Sequence, residues 1–321
     1  MYAFRIPIRA LNKRADADMN DRTHDRGARR SSPGGIRWAL AGLVAVAAIG
    51  GAGACTKSLE VPAINPTPTG EVIPGKVVWH DLYTSDIEGS KQFYGELFGW
   101  SFQTIASNGY DYAIAMIGPR PIAGFLKPEK RLTGPAEWVQ YFSVADVDAA
   151  AARIEANGGT LTLEPEDLPR RGRIAFGEDL EGAPFGIIRS TSGDRPDGTA
   201  PPHNDFLWNE LWSNDFGLAA LFYRDALGLD SEVLTRKQGD YLLFTSGGEK
   251  RAGGIQIPQA DIEPQWLPTV RVIDIKAAVA KARQLGGEVA LEPRWDISDG
   301  MVAIISDPYG AGVTLRQWEG D

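Results

Sequence analysis

Residues 79–99 return 129 positions further along the chain. Trp79 comes back as Trp208, Asp81 as Glu210, Leu82 as Leu211, Tyr83 as Trp212, Asp86 as Asp215, Phe93-Tyr94 as Phe222-Tyr223 and Gly99 as Gly228. A second block repeats at a shift of 128, pairing Trp138 with Trp266, Asp146 with Asp274, Gly158-Gly159 with Gly286-Gly287 and Glu164-Pro165 with Glu292-Pro293. A constant shift over two blocks marks a duplicated structural unit, so the fold must be one that two copies can build together. Between the copies, "STSGDRPDGTAPPHND" (Ser190–Asp205) is rich in Gly, Pro and Asp and reads as a linker.

Each copy divides again. "TSDIEGS", "VADVDAA", "SNDFGLA" and "VIDIKAA" share one layout: an alternating apolar strand, an Asp, then an amphipathic helix. The aspartates Asp86, Asp146, Asp215 and Asp274 suit helix N-caps, where a carboxylate accepts the free N–H groups of the first turn, and a structural role is expected for all four. Glycines at Gly99, Gly158-Gly159, Gly228 and Gly286-Gly287 close the helices. Short strands follow, such as "YDYAIAMIG" and "RIAFGED" in the first copy and "DYLLFTS" and "VAIISD" in the second. The expected class is α+β, with four βαβββ modules paired into two domains of curved mixed sheet. One module alone leaves a half-buried sheet, and pairing two of them buries both.

The beginning of the chain reads as a delivery device. Residues 1–54 hold nine Lys/Arg against four Asp/Glu, and "WALAGLVAVAAIGGAGAC" (Trp38–Cys55) is an uncharged apolar run with a small-residue exit. A basic region, a short apolar stretch and an A-x-A site describe a secretory signal. The only cysteine, Cys55, follows "AGA" directly and resembles a bacterial lipobox cysteine, which would become the lipidated first residue of the mature protein. A soluble secreted or periplasmic product cut at the same place and an uncleaved anchor remain open, as does a start at Met19. The expected division is a signal sequence (1–54), Cys55 with a Pro-rich extended tether (55–75), a first domain (76–190), a linker (191–205) and a second domain (206–321). Residues 55–321 carry 24 Lys/Arg against 38 Asp/Glu. A body that acidic repels phosphate backbones, so no nucleic-acid partner is expected.

From Lys76 to Trp318 the chain resembles the vicinal oxygen chelate superfamily, which includes glyoxalase I, extradiol dioxygenases and bleomycin-resistance proteins. "LYTSD…FYGELFGW" and "LWSND…FYRDALGL" carry the resemblance in the first modules, and "DVDAA…NGG", "EDLEGAPFG", "DIKAA…LGG" and "SDPYGAGV" carry it in the second modules. The resemblance implies that paired modules enclose a pocket, giving two pockets here. It also implies that metal-dependent members place His or Glu on the first and last strands of each module. Those positions fall on Trp79, Val139, Trp208 and Leu267, and near Phe125, Gly186, Gln256 and Thr314, none of which is His or Glu. Of three histidines, His24 lies in the signal and His203 in the linker; His80 is one residue past a ligand position, turned to the other face of its strand. No cofactor is therefore expected, a divalent metal being the alternative.

Strand alternation places Trp79, Asp81 and Tyr83 on one face, and Trp208, Glu210 and Trp212 on the equivalent one. Two aromatics flanking a carboxylate suit an aromatic or cationic organic ligand. A domain interface would use the same residue types, and catalysis would use Asp81 or Glu210 as a general base. Gln140, Tyr141 and Arg173 are further candidates for the pocket lining. The expected function is metal-independent binding of a small molecule by an envelope-anchored protein; the alternative is a glyoxalase-type lyase or dioxygenase-like enzyme. The oligomeric state is left open.

Overall fold

A computed structural model describes residues 61–107, 110–127, 134–198, 200–259 and 262–319. The expected signal segment (1–54) and Cys55 lie outside these. Among the described residues, no helix is long and apolar enough to cross a membrane.

The first copy runs β1 (Val77–Tyr83), α1 (Ile87–Phe98), β2 (Ser101–Ser107), β3 (Tyr110–Ile117), β4 (Arg120–Leu126), β5 (Glu137–Ser143), α2 (Val147–Ala156), β6 (Thr160–Leu168), β7 (Gly172–Glu178) and β8 (Pro184–Ser190). The second runs β9 (Phe206–Ser213), α3 (Phe216–Leu227), β10 (Asp230–Arg236), β11 (Gly239–Ser246), β12 (Glu249–Gln256), β13 (Gln265–Val272), α4 (Ile275–Gln284), β14 (Glu288–Leu291), β15 (Val302–Ser306) and β16 (Gly312–Gln317). Four βαβββ modules are present, as the repeats predict. Each helix starts at its expected aspartate: Asp86 accepts from the Gly89 N–H, Asp146 from Ala149, Asp215 from Gly217 and Leu218, and Asp274 from Ala277. Gly99 and Gly228 close α1 and α3 at φ +72°, a left-handed conformation that costs glycine little.

Modules pair in sequence. One eight-stranded sheet has the order β2-β3-β4-β1-β5-β8-β7-β6, the other β10-β11-β12-β9-β13-β16-β15-β14. The central pairs β1/β5 and β9/β13 are antiparallel, while β1/β4, β5/β8, β9/β12 and β13/β16 are parallel.

The helix-bearing faces of the two sheets bury each other. One core joins α1 and its strands to α4 and its strands, through Phe93, Tyr94, Phe125 and Trp138 on one side and Val270, Val279 and Ile305 on the other. A second core joins the middle two modules through Phe142, Phe185 and Tyr223, with Trp266 of β13 packed among them. The repeated "FY" tyrosines sit at these junctions. Tyr223 accepts from the Trp266 indole at 2.8 Å and donates to Asp179 Oδ2 at 3.0 Å, across the domain boundary. Tyr94 accepts from the Trp138 indole at 3.0 Å and faces Asp307 of the other domain. Asp179 and Asp307 also hold their own turns, each accepting two backbone N–H bonds at 2.9 Å. The Tyr, Trp and Asp of the repeat thus lock the two domains together.

Residues 61–75 do not form a free extended tether. Val61 and Ile64 are buried against the helix-free face of the first sheet, in one cluster with Trp79, Tyr83, Tyr112 and Tyr141. The linker holds this segment in place: the Asn65 N–H donates to Ser192 Oγ at 3.0 Å, Asn65 Oδ1 accepts from Arg195 at 3.1 Å, and the Ile73 N–H donates to Asp194 Oδ2 at 2.6 Å.

Candidate functional site

Alternation on β1 turns Trp79, Asp81 and Tyr83 to the helix-free face, as expected, and β3 and β5 add Tyr112 and Tyr141. These groups converge on Asp81. Its Oδ1 accepts from the Trp79 indole at 2.8 Å and from the Tyr112 hydroxyl at 2.9 Å, and its Oδ2 accepts from the Tyr141 hydroxyl. A buried carboxylate needs such donors, because unpaired burial of charge is costly. Both oxygens are thereby engaged, so Asp81 fixes aromatic side chains in place. Burial and the neighbouring Asp81 charge push the Tyr141 hydroxyl well up from its ordinary value, so it remains a donor.

Arg171 completes the group. It is 3% exposed and lies 4.0 Å over the Trp79 ring, a cation–π contact that occupies the indole face expected to stack on a ligand. Its Nε and Nη2 have no hydrogen-bond partner. Asp81, Tyr83, Tyr112, Tyr141, Arg171 and Phe176 line one cavity, capped by Val61. The remaining space is about 50 Å³, enough for one or two waters at about 30 Å³ each. Glu166 lines it too, with Oε1 unpartnered and its carboxyl raised by burial. Nearby on β5, directly opposite Tyr83, burial and the charge of Glu178 push the Glu137 carboxyl up to about 7.

The second domain carries a looser version. Tyr241 repeats Tyr112; its hydroxyl accepts from the Trp208 indole at 2.8 Å and donates to Glu210 Oε1 at 3.0 Å. The Arg236 guanidinium covers the Tyr241 ring at 3.5 Å. Thr269 stands where the first domain has Tyr141, and its hydroxyl, the Thr314 hydroxyl and the Trp212 indole are buried without partners. Glu210 accepts a single hydrogen bond among the described residues, and its carboxyl is raised, chiefly by burial.

Several expected positions fall elsewhere. Gln140 pairs with His80 across β1 and β5 and shares its face, the buried one between domains, so it does not line the pocket. His80 stacks on Phe206 at 3.9 Å and bonds to Asn209, its own repeat equivalent, at 2.8 Å. Arg173 points to the helix side of β7, where Asp148 of α2 grips it at 2.6 Å through two bonds; Arg171, two residues earlier, is the arginine of the cavity. Tyr112, Phe176, Glu166 and Arg171 were missed. For Tyr112 the signal was present, since it recurs as Tyr241 at the shift of 129.

A divalent metal does not fit this donor set. Register puts Gly124 opposite Asp81, while Phe125 faces the helices with Leu82. In the second domain Gly253 stands opposite Glu210, and Gln256 is exposed. A Cβ on Gly124 would overlap the Tyr112 hydroxyl and Asp81 Oδ1, and one on Gly253 would overlap the Tyr241 hydroxyl. The aromatic–acid clusters thus fill the space a ligating side chain would need. Among the described residues no three His, Cys, Asp or Glu side chains gather as a metal site.

The fold and this site define a tandem member of one superfamily: the chain belongs to the Glyoxalase/Bleomycin resistance protein/Dioxygenase superfamily, whose family model matches residues 76–187. It is 30% identical over 240 residues to CFP32 of Mycobacterium tuberculosis (strain CDC 1551 / Oshkosh), named provisionally as a glyoxylase; the match spans 73% of this chain and 91% of that one. It is 31% identical over 257 residues to the anthracycline biosynthesis protein DauV of Streptomyces sp. (strain C5), spanning 75% and 93%. Among solved structures, the Mn(II)-bound glyoxalase from Novosphingobium aromaticivorans superposes with a TM-score of 0.52 at 14% identity, over 78% of this chain and 85% of that one. An extradiol ring-cleaving dioxygenase from B. fuscum gives 0.52 at 14%, over 81% and 74%. At these identities the two structures share the fold alone.

Proposed function

We propose that this protein binds a small planar aromatic molecule, without a metal, in the first-domain pocket, and that it does so in the cell envelope, lipid-anchored through Cys55. The observation that carries the binding reading is the Asp81 cluster: three fixed donors and a ring of aromatics occupy the space where a ligating side chain would stand. Rigid aromatics with a few placed polar groups are the usual lining of a small-molecule site. The relative named for anthracycline biosynthesis supports an aromatic ligand. The residual cavity admits only water, so a ligand enters by displacing Val61 and Ile64. Elemental analysis of protein purified without chelator, with Mn, Zn, Ni and Fe titrations, tests metal independence. Less than about a tenth of an equivalent and no thermal stabilisation are expected; near-stoichiometric metal overturns it. Intact mass tests the anchor: an unmodified Cys55 on a full-length chain sinks it.

A second reading, an enzyme with a carboxylate general base, is favoured by Glu210, whose burial raises its carboxyl and which spends one hydrogen bond where Asp81 spends three. Turnover of a thiol hemithioacetal of methylglyoxal, abolished by Glu210→Gln, would establish it.

A further inference from the structure

The empty edge of Arg171 identifies the ligand more closely. Nε and Nη2 of a guanidinium lie side by side and form a planar fork that matches the two oxygens of a carboxylate. Three other arginines of this chain use that edge on an acid: Arg173 on Asp148, Arg224 on Asp225 and Arg294 on Asp296, with bonds of 2.6–3.0 Å. Arg171 lines the cavity, and the same two nitrogens of its guanidinium are buried without a partner. A buried donor without a partner is costly, more so when charged. Neither acid of the cavity closes the fork. Asp81 has both oxygens committed to Trp79, Tyr112 and Tyr141. Among the described residues Glu166 leaves an oxygen of its own unpartnered. The feature is not duplicated: the repeat shift of 128 puts Asp299, at φ +53°, in the equivalent place of the second domain.

We infer that the ligand is an aromatic carboxylate, or an aromatic bearing an equivalent planar oxyanion, held by the Nε–Nη2 fork of Arg171 with its ring among Tyr83, Tyr141 and Phe176. This rests on the aromatic-pocket reading above and makes Arg171 the specificity-determining residue of the first domain.

The test is calorimetric titration of the full chain with 2-naphthoate and with neutral, near-isosteric 2-naphthamide. Wild-type protein is expected to prefer naphthoate by about 10- to 100-fold, the range of a charge-assisted hydrogen-bonded pair. Arg171→Gln should abolish that preference, with circular dichroism and urea unfolding beside wild type reporting that the variant is folded. Arg171→Lys, which keeps the charge but not the fork, should retain only a small part of it. Equal binding of the two probes by wild type, or a naphthoate preference that survives both substitutions, overturns the role of Arg171 and leaves the pocket reading standing. Binding of neither probe overturns both.

Discussion

Asp81 and Glu210 occupy the same place in the repeat and have been put to different use. The shorter acid is engaged by three donors, the longer by one, because Tyr141 has become Thr269 in the second copy and the Trp208 indole donates to Tyr241 where Trp79 donates to the acid. Gly124 is what makes room for the first cluster. Gly124→Ala is expected to lower stability by about 1–3 kcal/mol, the usual cost of forcing atoms into a packed core, and to abolish binding of any pocket ligand. Urea unfolding of the variant beside wild type checks the first, and calorimetry checks the second. An unchanged unfolding midpoint would mean that Tyr112 and Asp81 can move apart freely.

The segment 61–75 matters at the scale of an element. It carries four prolines and no helix or strand, yet two apolar side chains and a set of bonds to residues 192–195 seat it over the pocket. Such a segment opens locally at much lower cost than global unfolding. Ile64→Ala is expected to accelerate amide exchange at Thr69 and Ile73, which bond to Ser192 O and Asp194 Oδ2, and to leave exchange in β1 unchanged. Hydrogen exchange by mass spectrometry reads both. Loss of protection in β1 as well would make the segment part of the cooperative core.

For the whole molecule, the pseudo-symmetric joint between domains contains His80, stacked on Phe206 and bonded to Asn209. Burial lowers its pKa to about 4, against the opposing pull of the Asn209 bond. The unfolded ring takes its proton near pH ~6.5. Between those values the unfolded chain binds more protons, so stability present above pH ~6.5 is lost as the pH falls towards the folded pKa. The loss amounts to about 3 kcal/mol. Urea unfolding of wild type and His80→Asn at two pH values, about 7.5 and about 4.5, checks it: the difference between the two proteins should shift against wild type by about 2–3 kcal/mol on acidification. A constant difference would show that His80 is solvated in solution.

The sequence by itself determined the modules, their order, their helix caps and the face of β1 that carries Trp79, Asp81 and Tyr83. These follow from local rules: a period of two, a capping carboxylate, a glycine that tolerates positive φ, and a shift that repeats. It could also exclude His80 from the pocket, since parity along one strand suffices. Parity between strands is another matter. Whether position 124 or 125, and 140 or 141, faces the pocket depends on register, and register is set by pairing across the sheet, while Arg171 stands in the turn before β7, between Arg170 and Gly172 at positive φ. The exposed, polar β10 is likewise an edge strand defined by its neighbour and not by its own pattern. Only the tertiary structure could bring Val61 over the cavity, commit both oxygens of Asp81, and leave the Arg171 fork without a partner, because each joins residues far apart in the chain.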